Sequence, residues 1–142
     1  MEQSSKTLTF VVPAYNMETY LERCVESLLS ATDNSDIEVL IVDDGSSDGT
    51  PELADMYERR WPGNVRAIHQ VNKGHGGAVN TGIANATGMY VKVVDADDWV
   101  DMPSIDTLMG TLRVQRVATD PVDMIVTNYV YDKVGQTTSS TQ

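Results

Sequence analysis

Tyr90-Val91-Lys92-Val93-Val94-Asp95-Ala96-Asp97-Asp98-Trp99 is a run rich in β-branched residues that ends in three carboxylates. Val91, Val93 and Val94 carry the signal of a strand interior, and a nearly continuous apolar run belongs to a strand covered on both faces. Asp95, Asp97 and Asp98 must then lie just outside the sheet. Carboxylates this close repel one another, raise one another's pKa and strain the fold unless a cation or solvent relieves them. Hard oxygen donors suit Mg²⁺ or Mn²⁺, and Mg²⁺ commonly takes one or two carboxylates and completes its shell with water and phosphate oxygens. The plainer reading is a solvated acidic turn in which Asp98 or Asp101 caps the next helix.

The preceding chain supplies a sheet for this strand. Leu8-Thr9-Phe10-Val11-Val12 reads as a strand stopped by Pro13, with Asn16 as N-cap of a helix from about Met17 to Ser30. The apolar positions Met17, Tyr20, Leu21, Cys24, Val25, Leu28 and Leu29 recur there at helical spacing. Ile37 to Val42 is a second strand ending in the acidic turn Asp43-Asp44-Gly45-Ser46-Ser47-Asp48-Gly49, after which Thr50 caps a helix whose first residue is Pro51. Leu53, Met56, Tyr57 and Trp61 line its inner face. Val65 to Val71 is a third strand, followed by a glycine-rich loop, Asn72 to Gly77, and a short helix of small residues from Ala78 to Ala86. After the acidic strand comes a helix following Pro103, then a fifth strand from Met124 to Tyr131. Residues 1–6 and the Thr- and Ser-rich tail 135–142 are expected to fray.

Alternating strands and helices with short connections predict an α/β fold, a mostly parallel Rossmann-like sheet with helices on both faces and strand order 3-2-1-4. Every strand then ends on one edge, where such sheets bind ligands at the crevice between strands 1 and 4. Pro13 to Asn16, Asp43 to Asp48 and Asp95 to Trp99 meet there.

The 142 residues fit one domain, 1–142, and 41% hydrophobic with 22% charged content is that of a chain that folds. Ten Lys and Arg against 21 Asp and Glu give a net charge of −11, which disfavours nucleic acid and anionic membrane surfaces. No stretch has the apolar length of a membrane span. The lone Cys24 rules out a disulfide framework and reads as a buried structural thiol, in keeping with a reducing cytosol.

Three motifs in register, Val11-Val12-Pro13-Ala14-Tyr15-Asn16, Ile41-Val42-Asp43-Asp44-Gly45-Ser46-Ser47-Asp48-Gly49-Thr50, and Asn72 to Gly82 followed by Asp95-Ala96-Asp97-Asp98, resemble family 2 of the nucleotide-sugar glycosyltransferases, inverting enzymes of GT-A fold. The last tetrad looks like the family's DXD element. The resemblance implies a donor site of Pro13, Ala14, Tyr15, Asp43, Asp44, Lys73, Gly74, Asn80, Asp95 and Ala96. In it Asp43 or Asp44 holds base and ribose, Pro13 and Ala14 border the base, and Asp95 contacts ribose or sugar. Asp97, with Asp95, ligates Mg²⁺ or Mn²⁺. The implied donor is a UDP-sugar or other nucleotide sugar and the acceptor a carbohydrate or lipid-linked hydroxyl. The implied setting is cell-envelope polysaccharide synthesis in the cytoplasm, at the membrane face in a full-length protein.

Two departures stand out. Val79 occupies a position where the family often has Arg. The family's acceptor site and catalytic base come from well downstream of the DXD element, so this chain is expected to be the donor-binding half of an enzyme. Asp98 is the weak candidate for a base within it, since an acid beside a bound cation is a poor proton acceptor. His75 and Lys73 could each meet a phosphate, although a lone histidine is usually structural or solvent-exposed. The rival readings are a haloacid-dehalogenase-like phosphoryl-transfer enzyme with Asp95 as nucleophile, and a non-catalytic nucleotide-binding module. The expected outcome with the 142-residue chain, Mn²⁺ and mixed carbohydrate acceptors is no acceptor-stimulated release of nucleoside diphosphate. Stimulated release that disappears in Asp98→Asn would place the base at the DXD element instead.

Overall fold

The computed structural model describes residues 6–117, together with 129–133 and 139–141. Strands β1 (Leu8–Ala14), β2 (Ile37–Asp44), β3 (Val65–Gln70) and β4 (Tyr90–Val93) form a parallel sheet in the order β3-β2-β1-β4, the expected arrangement. Leu8 lies opposite both Ile37 and Tyr90, so β1 is central. Every residue of β1 and β2 is buried, which is why these segments read as unbroken apolar runs.

Strand alternation divides the core in two. Phe10, Val12, Val39 and Ile41 pack with residues of α1 (Leu21–Leu28), α2 (Thr50–Arg60) and α4 (Met102–Arg116). On the opposite face Val11, Leu40 and Val42 pack with Ala78 of α3 (Gly74–Asn85). Buried Glu38 lies on this second face and ties the α3–β4 connection to the sheet, accepting from Thr9 Oγ1 at 2.7 Å, Arg66 Nε at 2.8 Å and Thr87 N at 3.0 Å. Burial acts to raise its pKa, but the Thr87, Thr9 and Arg66 donors outweigh it and hold the carboxylate below its ordinary value.

Several local readings change. Pro13 does not end β1, which continues to Ala14 with Pro13 opposite Val42. Val94 N donates to Val11 O, so odd-numbered residues of β1 bond toward β4, and at Pro13 that pairing has already ended. The missing N–H is therefore not needed. Asn16 is not a helix cap: its φ is 53°, and its Oδ1 accepts from Ser47 N at 2.8 Å. The chain turns through residues 17–20, with Met17 N bonded to Thr50 Oγ1 and Glu18 N to Asp48 Oδ2, and α1 starts only at Leu21. Thr50 likewise lies inside α2, and Asp48 Oδ1 accepts from its N–H at 2.9 Å.

The glycine-rich segment expected to be a loop is helical from Gly74. Glycine's weak helix propensity hid it, and of its small residues Ala78 and Gly82 are explained by the sheet beneath. A Cβ on Gly82 would lie 2.2 Å from Val11 Cγ1, so α3 packs closer than any larger residue allows. Past β4, the acidic turn runs into a two-residue strand, β5 (Asp98–Trp99), antiparallel to β6 (Tyr129–Lys133), itself antiparallel to β7 (Ser139–Thr141). The expected fifth strand thus overlaps β6, with residues 124–128 outside the described residues. Residues 139–141, in a tail expected to fray, form β7. Among the described residues no helix is long and apolar enough to cross a membrane.

Gly82→Ala should lower the unfolding free energy by about 1–3 kcal/mol, overriding a gain of roughly 1 kcal/mol in helix propensity. Urea denaturation measures it, and an unchanged or raised midpoint would refute the close approach of α3 to Val11.

Candidate functional site

The ends of β1, β2 and β4 and the start of α3 enclose a crevice of about 360 Å³. Pro13, Ala14, Tyr15 and Met17 contribute from β1 and the segment after it, Asp44 from β2, Asn72, Gly74, His75 and Ala78 from α3 and its approach, and Asp95, Ala96 and Asp97 from the turn after β4. These groups meet because β1 is central and its neighbours run parallel to it, the position at which open α/β sheets take ligands.

Asp95, Asp97 and Asp98 each offer a carboxylate oxygen within 4.8 Å of the others. The turn is closed by Asp98 N donating to Asp95 O at 2.9 Å, and α1 supports it from behind. Cys24 Sγ donates to Asp95 O at 3.6 Å, Ser27 Oγ accepts from Val100 N at 3.2 Å, and the Arg23 guanidinium lies 4.4 Å from the centre of the Trp99 ring. Asp95 and Asp97 bring hard oxygen donors to the solvent-open crevice with an oxygen of Asp98 close behind them, a set that fits Mg²⁺ or Mn²⁺. The helix cap is Asp101, whose Oδ1 accepts from Ser104 N at 2.8 Å, and the Ser104 side chain together with that N–H holds its pKa below the ordinary value. Asp98 is buried in β5 and does not line the crevice.

The two acids that end β2 point opposite ways. Asp44 lines the crevice on the α3 side, its Oδ1 accepting from Gln70 Nε2 at 2.9 Å and Lys73 N at 2.8 Å. Asp43 lies on the α2 side, its Oδ1 accepting from Ser46 N at 3.0 Å and its Oδ2 2.7 Å from His69 Nδ1. Among the expected donor residues, Pro13, Ala14, Tyr15, Asp44, Gly74, Asp95, Ala96 and Asp97 line the crevice, while Asp43, Lys73 and Asn80 do not. Lys73 contributes its backbone N–H through the bond to Asp44, and Asn80 is exposed on α3. His75 stands on the crevice wall with Nε2 3.7 Å from Asp95 Oδ1.

Sequence reasoning missed Met17, Asn72 and Ala78 as lining residues, and it missed His69. The available signal for His69 was its register, because the residue directly across from Asp43 on β3 is a histidine.

The fold and the site together define an α/β protein whose acidic strand ends meet a helix N-terminus at an open crevice, the layout of a GT-A nucleotide-sugar-binding domain. The family described as "Glycosyl transferase family 2" matches residues 9–139, and this chain belongs to it. The glycosyltransferase GlyG of Streptococcus pneumoniae is 40% identical over 131 residues, which is 91% of this chain and 41% of GlyG. The crystal structure of Staphylococcus aureus TarS 1–349 in complex with UDP aligns with TM-score 0.69 at 26% identity, over 78% of this chain and 33% of that one. The mannosyltransferase PcManGT from Pyrobaculum calidifontis, in complex with GDP-Man and Mn²⁺, aligns with TM-score 0.63 at 27% identity, over 76% of this chain and 32% of that one. The chain thus spans well under half the length of these relatives. Family membership displaces the phosphoryl-transfer reading of Asp95.

Cys24 is fully buried, and burial, reinforced by Asp98, Asp97 and Asp95, pushes its thiol pKa far above the ordinary range. The folded protein should therefore resist a disulfide-type thiol reagent at pH 8 and react with one equivalent once unfolded. Rapid labelling of the native protein would show that α1 does not seal the acidic turn.

Proposed function

We propose that this chain is the donor-binding part of an inverting glycosyltransferase that takes a nucleoside-diphosphate sugar, with UDP the favoured nucleotide, and passes the sugar to a carbohydrate or lipid-linked hydroxyl. The observation that carries the reading is the acidic turn after β4, whose Asp95 and Asp97 line a crevice bordered by the end of β1, Asp44 and the N-terminus of α3. Likeness to TarS with bound UDP and UDP-GlcNAc supports the nucleotide, and likeness to PcManGT with Mn²⁺ supports a divalent ion.

Each neighbour has a task in this reading. Asp97 and Asp95 hold Mg²⁺ or Mn²⁺, which when bound supplies neutralising charge to the departing diphosphate. The first N–H groups of α3 lack intrahelical partners and favour an anion; that of Gly74 donates to Asn72 Oδ1 at 3.2 Å, so the turn from His75 onward suits the diphosphate side of the crevice. Asp44 accepts from a base N–H or ribose hydroxyl, its carboxylate fixed by Gln70 and by the N–H of Lys73. Pro13, Ala14 and Tyr15 give the base an apolar border with little to reorganise on binding. Asp98, buried and outside the lining, stabilises the turn and is not assigned as the base.

Calorimetry of UDP binding tests this. Affinity should fall on the order of ten- to a hundredfold when Mn²⁺ is replaced by chelator, a usual coupling between two bound ligands. Asp97→Asn should weaken binding only with metal present, because it removes a ligand charge without removing volume, whereas Asp44→Asn should weaken it in both conditions. Equal affinity in Mn²⁺ and chelator would refute the metal-bridged donor.

A further inference from the structure

His69 lies on β3 directly across from Asp43, on the sheet face covered by α2. Its Nδ1 is 2.7 Å from Asp43 Oδ2 and its Nε2 is 2.7 Å from Asp55 Oδ1 of α2. A neutral imidazole carries one N–H, so it can donate to only one of these carboxylates and turns a lone pair toward the other. The imidazolium donates to both. Asp43 faces the ring from β2 and Asp55 from α2. The other α2 acid against β3 is Glu58, whose Oε1 accepts from Ala67 N at 2.8 Å. The hydrogen bond to Asp43, then that to Asp55, raises the pKa of His69 above its ordinary value despite partial burial. The ring is 40% exposed and can exchange its proton with solvent.

Beyond Asp43 the contacts continue to the crevice. Asp43 Oδ1 accepts from Ser46 N, Ser46 Oγ accepts from Asn16 N at 3.0 Å, and Asn16 Oδ1 accepts from Ser47 N at 2.8 Å. Asn16 is held with φ at 53°, a conformation few non-glycine residues adopt, and the residue before it is Tyr15 on the crevice wall. The turn after β2 and the end of β1 are thus laced together, and the chain of bonds ends at an ionisable group outside the crevice.

We propose that His69, as the imidazolium, is a positioning residue for the nucleotide end of the crevice: bonded to Asp55 of α2 on one side and to Asp43 of β2 on the other, it fixes Asp43 and so holds the β2 turn and the end of β1 in donor-binding geometry. This rests on the nucleotide-sugar reading above and adds to it a residue that touches no donor. A group whose pKa is raised by folding stabilises the fold below its unfolded value and loses that contribution as pH rises through the folded value. The clamp is therefore closed at and below about pH 6.5 and opens only as pH rises through the higher folded value.

The test is UDP titration of the 142-residue chain in Mn²⁺ from pH 6.5 to 8.5, paired with amide hydrogen exchange at Asn16, Ser46 and Ser47. In the natural sequence UDP affinity should fall about tenfold across this range, as one charge-assisted hydrogen bond is lost, with exchange at the three amides rising in step. In His69→Gln both should be flat, with affinity near the high-pH value of the natural sequence. Asp55→Asn should shift the midpoint to lower pH. A purely structural histidine would change melting temperature while leaving the pH slope of UDP affinity intact in His69→Gln, and that result overturns the inference alone. Absence of UDP binding at every pH in both proteins would overturn the nucleotide reading and this inference with it.

Discussion

Crowding of negative charge at the strand ends is the constraint on which the rest of the structure depends. A parallel sheet delivers Asp43, Asp44, Asp95, Asp97 and Asp98 to one edge of a chain that already carries a net charge of −11. At close range such groups destabilise one another unless each finds its own relief. The structure relieves them separately. Asp43 is held by His69 and the Ser46 N–H, and Asp44 by Gln70 and the Lys73 N–H. His75 stands near Asp95. The turn Asp95–Asp98 remains the most densely charged part of the edge, and it is the part that opens on the crevice.

The alternation of β2 sorts these acids by task. Asp43 and Asp44 are adjacent in sequence, yet one belongs to the α2 face and the other to the α3 face. One is therefore free to meet a ligand while the other organises the loop that carries it. The same rule places Glu38 under the α3–β4 connection, where its four donors fix the approach to the acidic strand. A one-residue slip of β2 would exchange these faces and dismantle both ends of the crevice at once.

The parallel sheet, its order and the meeting of the three acidic or apolar strand ends were legible in sequence because β1 and β2 are buried throughout and carry the strand signal continuously, while β4, expected to be covered on both faces but with Val91 exposed, was legible from its β-branched residues alone. What escaped was decided by contacts distant in sequence. Pro13 reads as a stop until the shorter reach of β4 is known. Asn16 reads as a cap until Ser47 claims its side chain. The glycines before Ala78 read as loop because glycine is a weak helix former, and the sheet that dictates small residues is met only further along, at Ala78 and Gly82. His69 carried no motif, and its meaning comes from register with Asp43 and from an acid on the neighbouring helix.

The unequal division of the core has a consequence for how the two layers open. The face bearing α1, α2 and α4 holds the large cluster with Phe10, Tyr57 and Met109, whereas α3 is held by Val11, Leu40, Val42 and Ala78 with a few partly buried neighbours. Local unfolding free energy follows buried apolar contact, and a glycine-rich helix gains more chain entropy on release than others do. Among the described residues the α3 layer is accordingly the less firmly held of the two helical layers, and its first turn is also part of the crevice wall. Ligand engagement and local order on this side are then one equilibrium: whatever fills the crevice raises the protection of α3 amides and leaves those of α1 nearly unchanged.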